Sequence, residues 1–198
     1  ITEDGGIIPT TSVGNSASFA IFAEKVIVEI NTNLSPAFEG LHDIYIPSYR
    51  PTRQPIPLTE VDERIGTQAI NIDPSKIVGI VINSEFHDSP STVTEPDDET
   101  QGIANHLIAF FEKEVAEDRL PKNLGPLQAG IGSIANAVLT GLKDSNFEDL
   151  IMYSEVLQDC TFELIDAGKM KFASGSSITL SAKYGEKVFN NLEAYKDK

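Results

Sequence analysis

The sequence predicts an α/β fold, with mainly parallel sheets covered by helices, on three observations. Residues 26–30, 77–82 and 150–154 are continuous apolar runs of strand length, the pattern of parallel strands covered on both faces. Segments with apolar residues at helical spacing alternate with these runs. Clusters of Gly, Pro, Ser and Asp punctuate the joins.

Taken in order, residues 10–16 are turn-rich, residues 17–23 read as a short helix, and 26–30 as the first buried strand. Pro36, Pro47, Pro51, Pro55 and Pro57 cannot sit inside regular elements, so the stretch that carries them is expected to be extended loop and turn. A second strand follows at 77–82. Residues 89–98, rich in Ser, Thr, Pro and Asp, are expected to cross between two α/β lobes. A helix over 99–117 is capped by Asp97 or Asp98 and sets Ile103, Leu107, Phe110, Phe111 and Val115 along one side, read as core packing. Residues 120–127 lead into a glycine loop at 128–133. Ile134, Ala135, Val138, Leu139 and Leu142 then give a helix one apolar face to lay on the sheet. Strand 150–154, a helix containing Phe162, Leu164 and Ile165, a strand end at 172–174 and a final helix over 184–195 complete the chain, and no internal repeat is visible.

The chemistry concentrates between Pro126 and Asp159. Glu155 ends the strand 150–154, at the edge of an open α/β sheet where ligands bind. A glutamate there can equally be a solvated turn residue or the neighbour of an N-cap. The preceding loop, Gln128-Ala129-Gly130-Ile131-Gly132-Ser133, has the composition of a backbone that closely approaches a ligand, and free N–H groups at a helix start attract negative charge. Loop and acid together suit a nucleophile presented beside an anion-binding turn. A dinucleotide-binding turn is the competing shape: Ala135 holds the third glycine position of that pattern and is tolerated there, so only the Glu155 context speaks against it.

Composition narrows the partners. With 30 Asp and Glu against 15 Lys and Arg, the 198-residue chain carries a formal net charge of −15, which speaks against nucleic acid and anionic membrane surfaces. A polyanionic ligand would need local cations, for which Lys143, Lys122 and Arg119 are candidates, each also readable as a solvated surface charge. The single cysteine, Cys160, excludes an internal disulfide and reads as a small buried hydrophobe. His42, His87 and His106 have no paired spacing and predict no metal site, and His106 reads as a partly buried structural residue. No run is long and apolar enough for a membrane helix, and no signal peptide is visible.

The strings QAGIGSIANAVLTGL, FEDLIMYSEVLQD and LIDAGKMKFAS resemble the acetyl-CoA hydrolase and acetate CoA-transferase family of class I CoA-transferases, with the fungal type most similar. ITEDGGIIPTTSVGNS, EKVIVEINTNLSPAFEGLHDIYIP, RIGTQAINID and HLIAFFEKEVAEDRLPKNLGPLQ resemble it too, in the same order, so the likeness spans nearly the whole chain. It implies CoA-transferase-like lobes: residues 1–88 as the end of an N-terminal lobe, 89–98 as a linker, and 99–198 as the first part of a C-terminal catalytic lobe. It implies that Glu155 becomes a glutamyl-CoA thioester and that Gly130, Ile131, Gly132, Ser133 and Ile134 contact coenzyme A; the alternative is a non-catalytic CoA-binding or assembly segment that keeps the fold and uses Glu155 structurally. Coenzyme A is then substrate and covalent intermediate, with no permanently bound cofactor and no metal. Acetyl-CoA, acetate, and succinate or succinyl-CoA are the implied partners, with a homo-oligomer as a further expectation. The implied location is mitochondrial, with a cytoplasmic pool as the alternative. The likeness further implies an internal fragment, on its own unable to turn over.

Overall fold

The computed structural model describes residues 1–85, 90–92 and 96–198. His87, Ser89 and residues 93–95 of the expected crossing lie outside the described residues. The chain divides into two compact units, residues 1–89 with 186–196, and residues 90–185 with 197–198. That division differs from the expected lobes in returning residues 186–196 to the first unit.

In the first unit, helix α1 (Ser16–Phe22) is followed by β1 (Val26–Asn31), and β1 pairs in parallel with β2 (Ile77–Asn83). The connection between the strands is proline-rich and holds only two short 3-10 turns, Pro36–Phe38 and Pro74–Lys76, opened by the side chains of Ser35 and Asp73. One antiparallel bridge, Ile44 with Thr67, closes within this connection, and a second, Ile7 with Ile70, ties it to the segment before α1. Their apolar partners form a small core of Ala17, Ile44 and Ile70, flanked by Ile7, Val13, Ala20, Ile46 and Ile72. Gly66 is required where the bridge closes, because a Cβ there would lie 2.3 Å from the Ile44 carbonyl carbon and 2.7 Å from Tyr45 N. Double coverage of these strands does not occur. Of the apolar side chains on β1 and β2 only Val28 is buried, while Ile27, Val78, Ile80, Val81 and Ile82 are exposed in this two-stranded pair.

The second unit opens with α2 (Asp98–Ala116), whose N-cap is Asp97, accepting from Thr100 N at 2.8 Å. Then come β3 (Pro126–Leu127), α3 (Ser133–Lys143), β4 (Leu150–Tyr153), β5 (Val156–Leu157), α4 (Asp159–Asp166), β6 (Met170–Ser174) and β7 (Ser177–Ile178). The sheet order is β3-β4-β6, all parallel, and β5 and β7 form a second parallel pair. Leu150 and Met152, fully buried, occupy one face of the central strand, and Leu142, Leu164 and Met170 are buried in the same unit. The other face of β4 is half-open, with Tyr153 49% exposed, so it too lacks the expected cover on both sides. Helix α5 (Ala182–Phe189) carries the chain back to the first unit, and a 3-10 turn (Leu192–Ala194) follows where one helix to 195 was expected.

The apolar side of α2 is also placed differently. Thr100 and Ala104 are buried and Ile108, Phe111 and Val115 half-buried, whereas Ile103, Leu107 and Phe110 are exposed. The helix carries two apolar stripes, and only one of them packs within this unit.

Candidate active site

The site is built where β4 ends. Residues of β3 pair with β4 at a constant offset, Pro126 with Ile151 and Leu127 with Met152, which draws the glycine loop alongside the strand end. Beyond the last paired residues the backbones separate. There the Ser154 hydroxyl donates to the Ala129 carbonyl at 3.0 Å and accepts from Ala129 N–H at 3.3 Å. On its other side Ser154 N–H donates to Ser174 O at 2.8 Å, so the backbone stays in register with β6.

Glu155 follows at once. Its backbone carbonyl accepts from Ser176 N at 2.8 Å, Ser177 N at 3.1 Å and Ser176 Oγ at 2.9 Å. The turn that supplies these donors needs Gly175, where a Cβ would stand 2.9 Å from Leu157 Cγ and 3.2 Å from Glu155 O. The side chain of Glu155 is exposed and makes no hydrogen bond or ion pair among the described residues. A fixed backbone thus carries an unengaged carboxylate.

The loop opposite is open. Among the described residues nothing lies within 4 Å of a Cβ placed on Gly130 or Gly132. Gly132 has φ 142° and ψ 169°, a conformation that suits glycine alone, and as N-cap of α3 it has no side chain to satisfy the first N–H groups of the helix. Those donors and the positive end of the helix face whatever enters. Ile131 is 71% and Ile134 47% exposed. Ile134 therefore does not lie on the sheet as its spacing suggested; Leu139 and Leu142 are buried as expected, Ala135 and Val138 are half-buried, and Ala137 is buried with them. Ser133 is exposed at the same helix start.

Other candidates sort by what they touch. Arg119 is engaged by Glu114 at 2.5 Å and by Glu117, and Lys143 stands 3.8 Å from Glu163. Lys122 is exposed and has no ion-pair partner among the described residues. Cys160 is buried and its Sγ lies 3.5 Å from Asn136 Oδ1; burial pushes its thiol up to about 11, the wrong direction for a nucleophile. His106 is exposed rather than partly buried, its Nδ1 2.8 Å from Gly102 O one turn back on α2. Among the described residues no group of three or more His, Cys, Asp or Glu could hold a metal, and no helix is long and apolar enough to cross a membrane.

The residues that hold the site were not singled out from the sequence. Ser154 and the Gly175-Ser176-Ser177 turn carry the contacts to the loop and to Glu155, and Asp159 fixes Ser181 through its N–H at 2.9 Å and hydroxyl at 2.5 Å. The available signal was a serine immediately before the acid and a Gly-Ser-Ser turn after β6.

Solved structures with this arrangement of elements define the class. RipA from Yersinia pestis superposes with a TM-score of 0.54 at 21% identity, covering 88% of this chain and 33% of its own. A 4-hydroxybutyrate CoA-transferase from Porphyromonas gingivalis gives 0.54 at 20% identity, covering 92% and 38%. The fold is the mixed α/β fold of the CoA-transferases. Residues 1–82 match the acetyl-CoA hydrolase/transferase N-terminal domain, and the whole chain is 47% identical over 198 residues to an acetyl-CoA hydrolase of Schizosaccharomyces pombe. Residues 1–82 thus belong to the acetyl-CoA hydrolase/transferase N-terminal domain family, and the chain is similar over its whole length to a named acetyl-CoA hydrolase. It spans 38% of the length of that relative.

Proposed function

We propose that the protein containing this chain cleaves acyl-CoA thioesters, acetyl-CoA foremost, through a covalent intermediate on Glu155. The observation that carries the reading is the unengaged Glu155 carboxylate on a carbonyl held by Ser176 and Ser177, beside a glycine loop whose N–H groups have no side-chain cap. In the first step a Glu155 oxygen attacks the acyl carbonyl carbon. The C–S bond breaks, coenzyme A leaves as thiolate, and a glutamyl–acyl anhydride remains. The thiolate then attacks the glutamyl carbonyl, forming a new C–S bond and releasing the acyl group as a carboxylate. Water consumes the resulting glutamyl-CoA thioester in net hydrolysis. An acceptor carboxylate such as acetate or succinate instead reverses the two steps with a new acyl group, which is transfer.

Each addition places negative charge on a former carbonyl oxygen. Backbone donors aimed at that oxygen are worth about 2.7–4 kcal/mol apiece. The loop from Gly130 to Ile134 is the proposed source of such donors and of the contact with coenzyme A. Of the three candidate cations, Lys122 is the one without an ion-pair partner among the described residues, and it is proposed to meet the phosphates. The proposed setting is acetate metabolism in the mitochondrion.

The test supplies labelled acetyl-CoA to the full-length protein with and without acetate or succinate, following free thiol and new acyl-CoA. Thiol release alone identifies hydrolysis, and label exchange into a second acyl-CoA identifies transfer. The same assay on Glu155→Gln should fall to background, and activity at the parent rate would overturn the assignment. The 198-residue chain alone is expected to match its own Glu155→Ala control, since it spans 38% of the fungal relative's length.

A further inference from the structure

We propose that Ser154 is a positioning residue that sets the spacing between the glycine loop and the strand bearing Glu155, an inference that rests on the assignment of Glu155 as nucleophile. The β3–β4 pairing ends at Leu127 and Met152, and Ala129 and Ser154 preserve its offset of 25 residues. At that rung the bonds are no longer backbone to backbone. One hydroxyl both donates to Ala129 O and accepts from Ala129 N–H, at 3.0 and 3.3 Å, while the Ser154 backbone N–H stays committed to Ser174 on β6.

The consequence is geometric. A side chain standing in for a ladder rung holds the loop one side chain's reach from the strand edge, farther than a backbone rung would. It also consumes the donor and acceptor of Ala129, leaving the open space and uncapped N–H groups to the residues that follow, Gly130 to Ile134. Without the hydroxyl, the Ala129 N–H loses its partner and its carbonyl keeps only Gln128 Nε2 at 3.3 Å, so Ala129 either closes onto the strand or takes water, and in both cases the loop shifts relative to Glu155. Misplacement of about an ångström costs on the order of 100-fold in rate. The serine before the acid therefore acts through the loop, not on the substrate.

The experiment measures formation of the glutamyl-CoA thioester in a single turnover of the full-length protein, for the parent, Ser154→Ala, Ser154→Thr and Glu155→Gln. Ser154→Ala is expected to slow thioester formation at saturating acetyl-CoA by about 10- to 100-fold. Its KM should stay within about threefold, and hydrogen exchange should quicken in the peptide spanning the loop, with α4 unchanged. Ser154→Thr keeps the hydroxyl and should recover most of the rate, which a purely structural role would not require. Should Ser154→Ala fail to fold, Ser154→Cys retains the volume with a weaker donor and carries the same comparison. Parent-like thioester formation in Ser154→Ala, with Glu155→Gln silent, would overturn the role of Ser154 and leave that of Glu155 standing. Thioester formation in Glu155→Gln would overturn both.

Discussion

At the scale of single residues, engagement separates function from structure. Glu155 has three donors on its carbonyl and none on its carboxylate, unlike Asp159, whose two carboxylate oxygens each accept from Ser181. His42 gives a residue-scale prediction in the first unit. It is buried, its Nε2 2.8 Å from Thr10 O, and burial lowers its pKa from the ordinary 6.5. The folded state then binds its proton less readily than the unfolded state, so stability is full above pH 6.5 and declines as pH falls below it. Thermal unfolding from pH 7.5 to 5 should show a smaller loss in His42→Gln than in the parent; equal slopes would show that His42 does not contribute. A second residue-scale expectation concerns Gly132, where φ 142° excludes a side chain without strain. Gly132→Ala should weaken binding of coenzyme A, measured by calorimetry on the full-length protein, and unchanged affinity would argue against the loop as its contact.

Among elements, close backbone approach gives the sharpest test. A Cβ on Gly66 would sit 2.3 Å from Ile44 C and 2.4 Å from Ile44 O, atoms that cannot move without breaking the Ile44–Thr67 bridge. Gly66→Ala should destabilise the first unit at or beyond the upper end of the roughly 1–3 kcal/mol typical of overpacking. Denaturant unfolding reads this directly, and a change within experimental error would contradict the packing described. Element types are legible in the sequence because β-branched runs, glycines and N-cap residues act locally: β1, β2, β4, α2 and α3 lie within a residue or two of their expected bounds. Burial is not local. Ile80 and Ile82 read as core because the run is apolar, yet they are exposed, since burial depends on what packs over the face of a strand. Ile103, Leu107 and Phe110 err for the same reason: a helix with two apolar stripes does not announce which one is covered. β3, β5 and β7 are too short for any periodicity to mark them, although β3 steers the loop. At the site, Glu155 and the loop are legible from residue type and order. Ser154 is not, because nothing in sequence says that a hydroxyl will replace a backbone rung.

For the molecule as a whole, the exposed apolar face of the β1–β2 pair carries the clearest consequence. Ile27, Val78, Ile80 and Ile82 are between 55% and 72% exposed on the β1–β2 pair, and the chain spans 38% of the length of its Schizosaccharomyces pombe relative. In isolation the 198 residues should bind a hydrophobic dye and self-associate with rising concentration, both reduced by Thr at Val78, Ile80 and Ile82. A monomeric, dye-silent chain would show that this face carries no such liability. The central claim, that Glu155 forms a covalent bond to coenzyme A, is tested by treating the full-length protein with acetyl-CoA, reducing with borohydride and analysing peptides by mass. Reduction of a glutamyl thioester should mark the peptide containing Glu155 in the parent and leave the same peptide unmarked in Glu155→Gln and Glu155→Asp. A mark on another residue, or a marked peptide that persists in Glu155→Gln, would contradict it.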